Sequence, residues 1–164
     1  MKILPYTKYD GIPTLRDSDI AGFYEKMVRD KTADIVFYDG MIKDWQDFLS
    51  FVTSPKVLFF VAHDGAESVG CGWLTDIKHK SAQAHFCMFS EIWDKNSVEV
   101  GRAIINAVYS FTTIELLIGY VPEINPVALK FAKKCGAVEL GKMPCGSVDK
   151  NGVSHPTTIV YYAR

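Results

Sequence analysis

Between residues 56 and 90 the chain carries three strand-like runs separated by short polar breaks, and this pattern limits the fold more than any other. "KVLFFVAHDG" ends in Asp64-Gly65, a dipeptide that favours the tight turn of a β-hairpin. "SVGCGWLTDIKHK" supplies the second strand, and "AQAHFCMFS" follows a lysine- and serine-bearing turn as the third. Connections this short join antiparallel neighbours. The centre of the chain is therefore an antiparallel meander.

Helical patterns flank it. "RDSDIAGFYEKMVRD" sets Ile20, Phe23, Tyr24 and Met27 on one face, with Asp17 or Ser18 as a cap. "KDWQDFLSFVTS" is a second helix that stops near Pro55, and "ADIVFYDG" between the two is ambiguous. After the break "DKNS" comes the helix "VEVGRAIINAVYSF", then a buried strand, "IELLIGYV". In "NPVALKFAKKCGAVELG", Asn125 is a good cap, Pro126 suits the first helical position, and Gly136 ends the helix. Two strands, "AVELGKMPC" and "TTIVYYA", close the chain around a turn-rich segment.

This order predicts a mixed α/β (α+β) fold: antiparallel N-terminal strands, a strand-helix-strand-helix C-terminal half and a closing hairpin. A chain of 164 residues suits one domain, spanning 1–164. A net charge of −1 with no charged run argues against nucleic acid and anionic membranes as partners. No apolar run is long enough to span a bilayer. "MKILPYTKYDG" has no signal-peptide h-region, so a cytoplasmic location is expected. The four cysteines form no CxxC pair and read as reduced thiols. His63, His79, His85 and His155 show no ligand spacing with them, so no metal site is expected.

Three features resemble the GNAT superfamily of N-acetyltransferases. They are the hairpin "VLFFVAHDGAESVGCGWL", the helix "VGRAIINAVY", and "NPVALKFAKKCGA", in which Asn125, Ala128, Lys134 and Gly136 fall on the family's motif positions. The resemblance covers the chain from about residue 14 onward. It implies acetyl-CoA as co-substrate, with pantetheine in the opening between two splayed parallel strands. Its amides would pair with backbone around residues 87–91, Phe89 included. The diphosphate would sit on the next helix N-terminus, near Asn96, Val100, Gly101 and Arg102, where free N–H groups and the dipole favour an anion. Asn125 and Phe131 would border the same groove.

The sequence departs from the family at two places. Its phosphate loop, Gln/Arg-x-x-Gly-x-Gly/Ala, falls here on Asn96, Glu99 and Gly101, so only the last position is kept. A carboxylate about 5 Å from a phosphate charge is repelled by roughly 3 kcal/mol at an effective dielectric of about 20. Asn96-Ser97-Val98-Glu99 also has the spacing of a capping box, which predicts a helix that satisfies its own N–H groups. The family's general-acid Tyr is replaced by Ala132, which leaves Tyr120 as the substitute. Candidates for the base are His85 and Glu91. Tyr24, Phe37, Tyr38, Trp45, His155 and Tyr161 are the aromatics expected near the acceptor.

The expected function is direct transfer of acetyl from acetyl-CoA to a primary amine, carried by a small molecule or a peptide. The alternative is a catalytically degenerate protein of this fold, kept for binding or assembly and resembling proteins of bacteriophage genomes. Either leaves room for a homodimer.

Overall fold

A computed structural model describes residues 1–93 and 95–164. The chain starts with β1 (Lys2–Pro5) and a short hairpin of β2 (Lys8–Tyr9) and β3 (Ile12–Pro13). Helices α1 (Asp17–Arg29), α2 (Ala33–Val36) and α3 (Trp45–Val52) follow. The meander is β4 (Leu58–Asp64), β5 (Glu67–Lys78) and β6 (Ser81–Met88). A 3-10 turn (Ser90–Ile92) leads to α4 (Ser97–Phe111), β7 (Leu116–Pro122), α5 (Pro126–Cys135), β8 (Val138–Val148) and β9 (Ser154–Ala163).

Seven strands form one sheet in the order β1-β4-β5-β6-β7-β9-β8. Every neighbouring pair is antiparallel except β6 and β7. That parallel pair needs a crossover, and α4 provides it. Pairing between β6 and β7 covers only Ser81–Gln83 against Leu116–Ile118. Beyond Gln83 the two strands separate, and the sheet is open at its centre.

Helices cover both faces. Phe59, Val61, Cys71, Trp73, Cys87 and Phe89 pack under α1 and α3 with Phe23, Met27 and Phe48. Phe60, Ala62, Leu74 and Met88 turn to the other face, against Ile104, Val108 and Ala132. Burial on both sides explains why β4 reads as an unbroken apolar run instead of an alternating one. A side chain as fully buried as Phe48 contributes about 1.5–3 kcal/mol by leaving water.

The mixed architecture matches the sequence expectation, and several details differ from it. β1, β2 and β3 have no counterpart in the sequence reading. The ambiguous "ADIVFYDG" is one four-residue helix followed by the buried Phe37. α1 is capped at Arg16, ahead of both expected residues, Asp17 and Ser18; the Arg16 N–H donates to the Asp19 carboxylate at 3.0 Å. The capping box proposed at Asn96 is not formed, because the Asn96 side chain accepts no helix N–H. α5 is as expected: the Asn125 Oδ1 accepts the Ala128 N–H at 3.1 Å, and Gly136 ends the helix at φ 108°. All four cysteines are free, and only Cys145 is exposed. Among the described residues no helix is long and apolar enough to cross a membrane. None of the described His, Cys, Asp and Glu side chains group as metal ligands.

Candidate active site

The opening between β6 and β7 is a passage through the sheet. On one side α5 lines it with Asn125, Ala128, Phe131 and Ala132, joined by Phe86 and Tyr162. On the other side are Ile35, Val36, Tyr38 and His85. The two sides follow from strand alternation, since His85 and Phe86 must point to opposite faces. Gly119 and Tyr120 of β7 form the facing wall.

The wall on β6 offers unpaired backbone. The Phe89 N–H donates to the Val69 carbonyl at 3.0 Å, so the odd-numbered residues of β6 direct their amides toward β5. Phe86 and Met88 therefore direct theirs into the opening. The Met88 carbonyl is already engaged, accepting the Trp93 indole N–H at 2.8 Å. The N–H and C=O of Phe86 and the N–H of Met88 have no partner among the described residues.

Within β6, of the residues around 87–91 where the resemblance implies cofactor contacts, Met88 directs its amide into the opening and Cys87 does not. Phe89 does not border the opening. Its side chain is fully buried, stacked on Phe23 with the Lys26 ammonium 5.2 Å from the ring centroid. Its carbonyl accepts the Ile92 N–H at 3.2 Å. The strand-edge positions that face the opening lie one to three residues earlier.

The α4 N-terminus also differs from the motif count. The helix begins at Ser97, so the Val100 N–H is bonded to the Asn96 carbonyl at 3.0 Å and the Val100 side chain is fully buried. The N–H groups of Ser97, Val98 and Glu99 find no acceptor among the described residues. Gly101 is buried for a packing reason: an added Cβ would stand 2.6 Å from Phe131 Cζ and 2.7 Å from Cys135 Sγ. Arg102 does not project freely. Its guanidinium donates to the Lys134 carbonyl at 2.8 Å, at the C-terminal end of α5, where a cation complements the dipole.

Asn125 and Phe131 border the opening as expected, with Phe131 edge-on to Phe86 at 6.2 Å between ring centroids. Tyr120 borders it too and is 40% exposed. His85 stands at the mouth on the α2 side. Its ring stacks on Trp73 at 5.5 Å, and Nε2 shares a hydrogen bond with Thr75 Oγ1 at 2.9 Å. Burial pushes its pKa down to about 4, against only weak pull from Asp76 and Asp39, so the imidazole is neutral near pH 7.

Glu91 is elsewhere. It binds Arg29 at 2.9 Å and Lys26 at 3.2 Å, clamping the 3-10 turn to α1. Burial works to raise its pKa, but hydrogen bonds from its own backbone, Arg29 and Lys26 outweigh it and hold the carboxyl below its ordinary range. A carboxylate held ionised by two cations is a weak base. Asp30 completes the clamp by accepting the Ser90 N–H at 2.7 Å.

Of the aromatics expected near the acceptor, Tyr38 alone borders the opening. Tyr24 and Phe37 are core, Trp45 is on the surface, and His155 is paired with Asp149 at 2.9 Å. Tyr162 is a residue that the sequence did not single out. Its hydroxyl donates to the Ala132 carbonyl at 3.4 Å, beside the position where the motif would carry a Tyr. Burial raises its pKa well above that of a free phenol.

No family model matches the chain, and no curated protein matches it either. Solved structures do. A spermidine N-acetyltransferase from Vibrio cholerae, in complex with CoA and spermine, superposes with a TM-score of 0.74 at 15% identity, covering 98% of this chain and 95% of that one. RimL, a ribosomal L7/L12 α-N-protein acetyltransferase in complex with coenzyme A, gives 0.73 at 10% identity over 91% and 90% of the two chains. An acetyltransferase of the GNAT family from Streptococcus pneumoniae gives 0.68 at 13% identity over 99% and 100%. At these identities the likeness is one of fold, and the fold of this chain is that of the GNAT N-acetyltransferases.

Proposed function

We propose that the protein transfers an acetyl group from acetyl-CoA directly to a primary amine. The observation that carries this reading is the passage through the sheet. Its lining comes from α5 on one face and from α2 and the segment after it on the other, with strand backbone between them. Two reactants can then meet from opposite sides without crossing.

The residues present fit a CoA thioester. Phe86 and Met88 would pair with the pantetheine amides, with Phe131 and Ala128 against its apolar stretch. The N–H groups of Ser97, Val98 and Glu99, which have no acceptor among the described residues, would receive the diphosphate, helped by Lys95 and opposed by the Glu99 carboxylate. Bound there, the co-substrate supplies an activated acetyl group. The chain's own contribution is orientation and exclusion of water, which can remove several kcal/mol from a bimolecular barrier.

Proton handling uses little from the protein. His85 is neutral but too weakly basic to take a proton from an ammonium, so it shapes the mouth, and the amine arrives deprotonated from solvent. Tyr162, with its raised pKa, is a weaker acid than a free phenol, and its hydroxyl is already engaged with the Ala132 carbonyl. It steadies α5 instead. Tyr120 is the phenol nearest solvent and is the proposed donor to the departing sulfur.

A second reading is favoured by Glu99 and Ala132: a protein of this fold that binds without turning over. One assay separates the two. Acetyl-CoA is incubated with a panel of primary amines, and free thiol and acetylated amine are quantified together. Equal amounts of the two products, dependent on the protein, are expected. Acetyl-CoA binding without either product would select the second reading.

A further inference from the structure

One acceptor on the open edge of β6 is already taken. In an antiparallel ladder the N–H and C=O of one residue point to the same side of the strand. The Phe89 N–H bonds the Val69 carbonyl of β5, so Met88, one residue earlier, turns both of its groups the other way. β7 pairs with β6 only as far as Gln83 and leaves Met88 uncovered. The Met88 carbonyl instead accepts the Trp93 indole N–H at 2.8 Å. The indole therefore stands on the strand edge that faces the opening.

The backbone of Trp93 is held, but its ring is not. The Trp93 N–H donates to the Ser90 carbonyl at 3.4 Å, and its own carbonyl accepts the Ser97 hydroxyl at 3.3 Å. These bonds tie the residue between the 3-10 turn and the first residue of α4. The side chain is 45% exposed. It joins none of the ring pairs that lock Trp73 against Phe37 and His85. Such a ring can turn outward at the cost of one hydrogen bond, and water can then serve the indole N–H.

Trp93 also lies between the two places assigned to acetyl-CoA. On one side are the backbone groups of Phe86 and Met88, and on the other the N–H groups of Ser97, Val98 and Glu99. A chain of amides that reaches both must pass the ring. An amide N–H set against Met88 needs the same acceptor that the indole now occupies.

We infer that Trp93 belongs to the co-substrate site, where its indole N–H stands in for a pantetheine amide on the Met88 carbonyl and yields that carbonyl when acetyl-CoA binds. This rests on the reading of acetyl-CoA in the opening and deepens it. The exchange replaces one N–H donor by another, so the carbonyl is served in both states. It also lowers affinity. Only molecules whose ring has turned away offer the full set of partners, and the apparent affinity falls with that fraction.

Trp93→Phe keeps the bulk of a ring and removes the donor. Calorimetric titration should show acetyl-CoA bound about three- to tenfold more tightly by this variant than by the unaltered protein. ADP, which has no pantetheine arm, should bind both proteins equally. Unchanged or weaker acetyl-CoA binding would overturn the inference, as would an equal gain for ADP. Fluorescence reads the ring itself. In Trp45→Phe, a change at the surface, the remaining tryptophans are Trp93 and the buried Trp73. Saturating acetyl-CoA should shift the emission to the red and raise quenching by acrylamide, and ADP should do neither. An unchanged spectrum with acetyl-CoA would overturn the inference. The transfer reading is judged separately. Tighter acetyl-CoA binding by Trp93→Phe, with no amine acetylated by either protein, would leave the inference standing and remove the transfer reading. Acetylation by both proteins at equal acetyl-CoA affinity would do the reverse. If neither protein binds acetyl-CoA, both fall.

Discussion

Gly101 and Phe131 are in contact across the α4–α5 interface: a methyl group at 101 would stand 2.6 Å from the Phe131 ring and 2.7 Å from the Cys135 sulfur. The same ring borders the passage through the sheet. Helix packing and groove shape are therefore one problem at this position.

Gly101→Ala should lower stability, although alanine favours a helix by about 1 kcal/mol over glycine. Overpacking costs about 1–3 kcal/mol and should outweigh that gain. A fall in melting temperature of about 2–4 °C per kcal/mol is expected for a chain of this size. The displaced Phe131 ring should also weaken acetyl-CoA binding. Calorimetry and a thermal melt on the same preparation check both.

Asn125 can be separated into two roles by two substitutions. Asn125→Ala removes the cap on the Ala128 N–H and should cost about 1 kcal/mol of stability. Asn125→Asp keeps a capping oxygen and should melt close to the unaltered protein. It places a carboxylate at the groove, so it should still weaken acetyl-CoA binding. Equal binding by the Asp variant would show that Asn125 serves the helix alone.

His85 gives a dependence on pH whose sign is fixed. Its folded-state pKa, about 4, lies below the ordinary 6.5. The unfolded chain therefore takes up a proton first as pH falls. The stability tied to the neutral ring is complete above about 6.5 and is lost progressively down to about 4, by up to roughly 3 kcal/mol. His85→Gln should flatten the melting curve between pH 7 and pH 4.5 relative to the unaltered chain. In turnover, the rate should rise toward the pKa of the amine without an inflection from an imidazole near 6.5.

Glu91→Gln should retain activity and leave the pH–rate profile unchanged, because the Glu91 carboxylate is held by Lys26 and Arg29 and not by the passage. Its folded-state pKa is lowered, so the stability it provides is present above the ordinary carboxylate range and lost in acid. The variant should be less stable at pH 7, by about 1 kcal/mol or less, and the gap should close as the carboxylate is protonated in acid. A large loss of kcat with stability unchanged would restore Glu91 as the base.

What the sequence disclosed follows from how local each signal is. α5 was legible because Asn125, Pro126 and Gly136 act on backbone within a few residues of themselves. The meander was legible because its turns are short. β1 was not, because its four residues gain a partner only in β4, more than fifty positions later. Gly101 was assigned to phosphate because its neighbour Phe131 is thirty positions away and invisible to a motif count. Phe89 and Glu91 were placed at the site by proximity to the end of β6. Strand alternation and the α1 cations, which direct them elsewhere, are tertiary facts. His85 and Asn125 border the opening; nothing local in the sequence sets Tyr38 apart from the other aromatics or points to Tyr162, because both reach it through packing across the sheet.

The measurement closest to the central claim is the melting temperature with and without acetyl-CoA, with ADP as control. Ligand at about one hundred times its Kd adds about 2.7 kcal/mol. For 164 residues that is a rise of roughly 5–10 °C. The account predicts this rise with acetyl-CoA and little with ADP, since most of the contacts assigned here lie along pantetheine. No shift at millimolar acetyl-CoA would contradict it, and the passage between β6 and β7 would then belong to some other ligand.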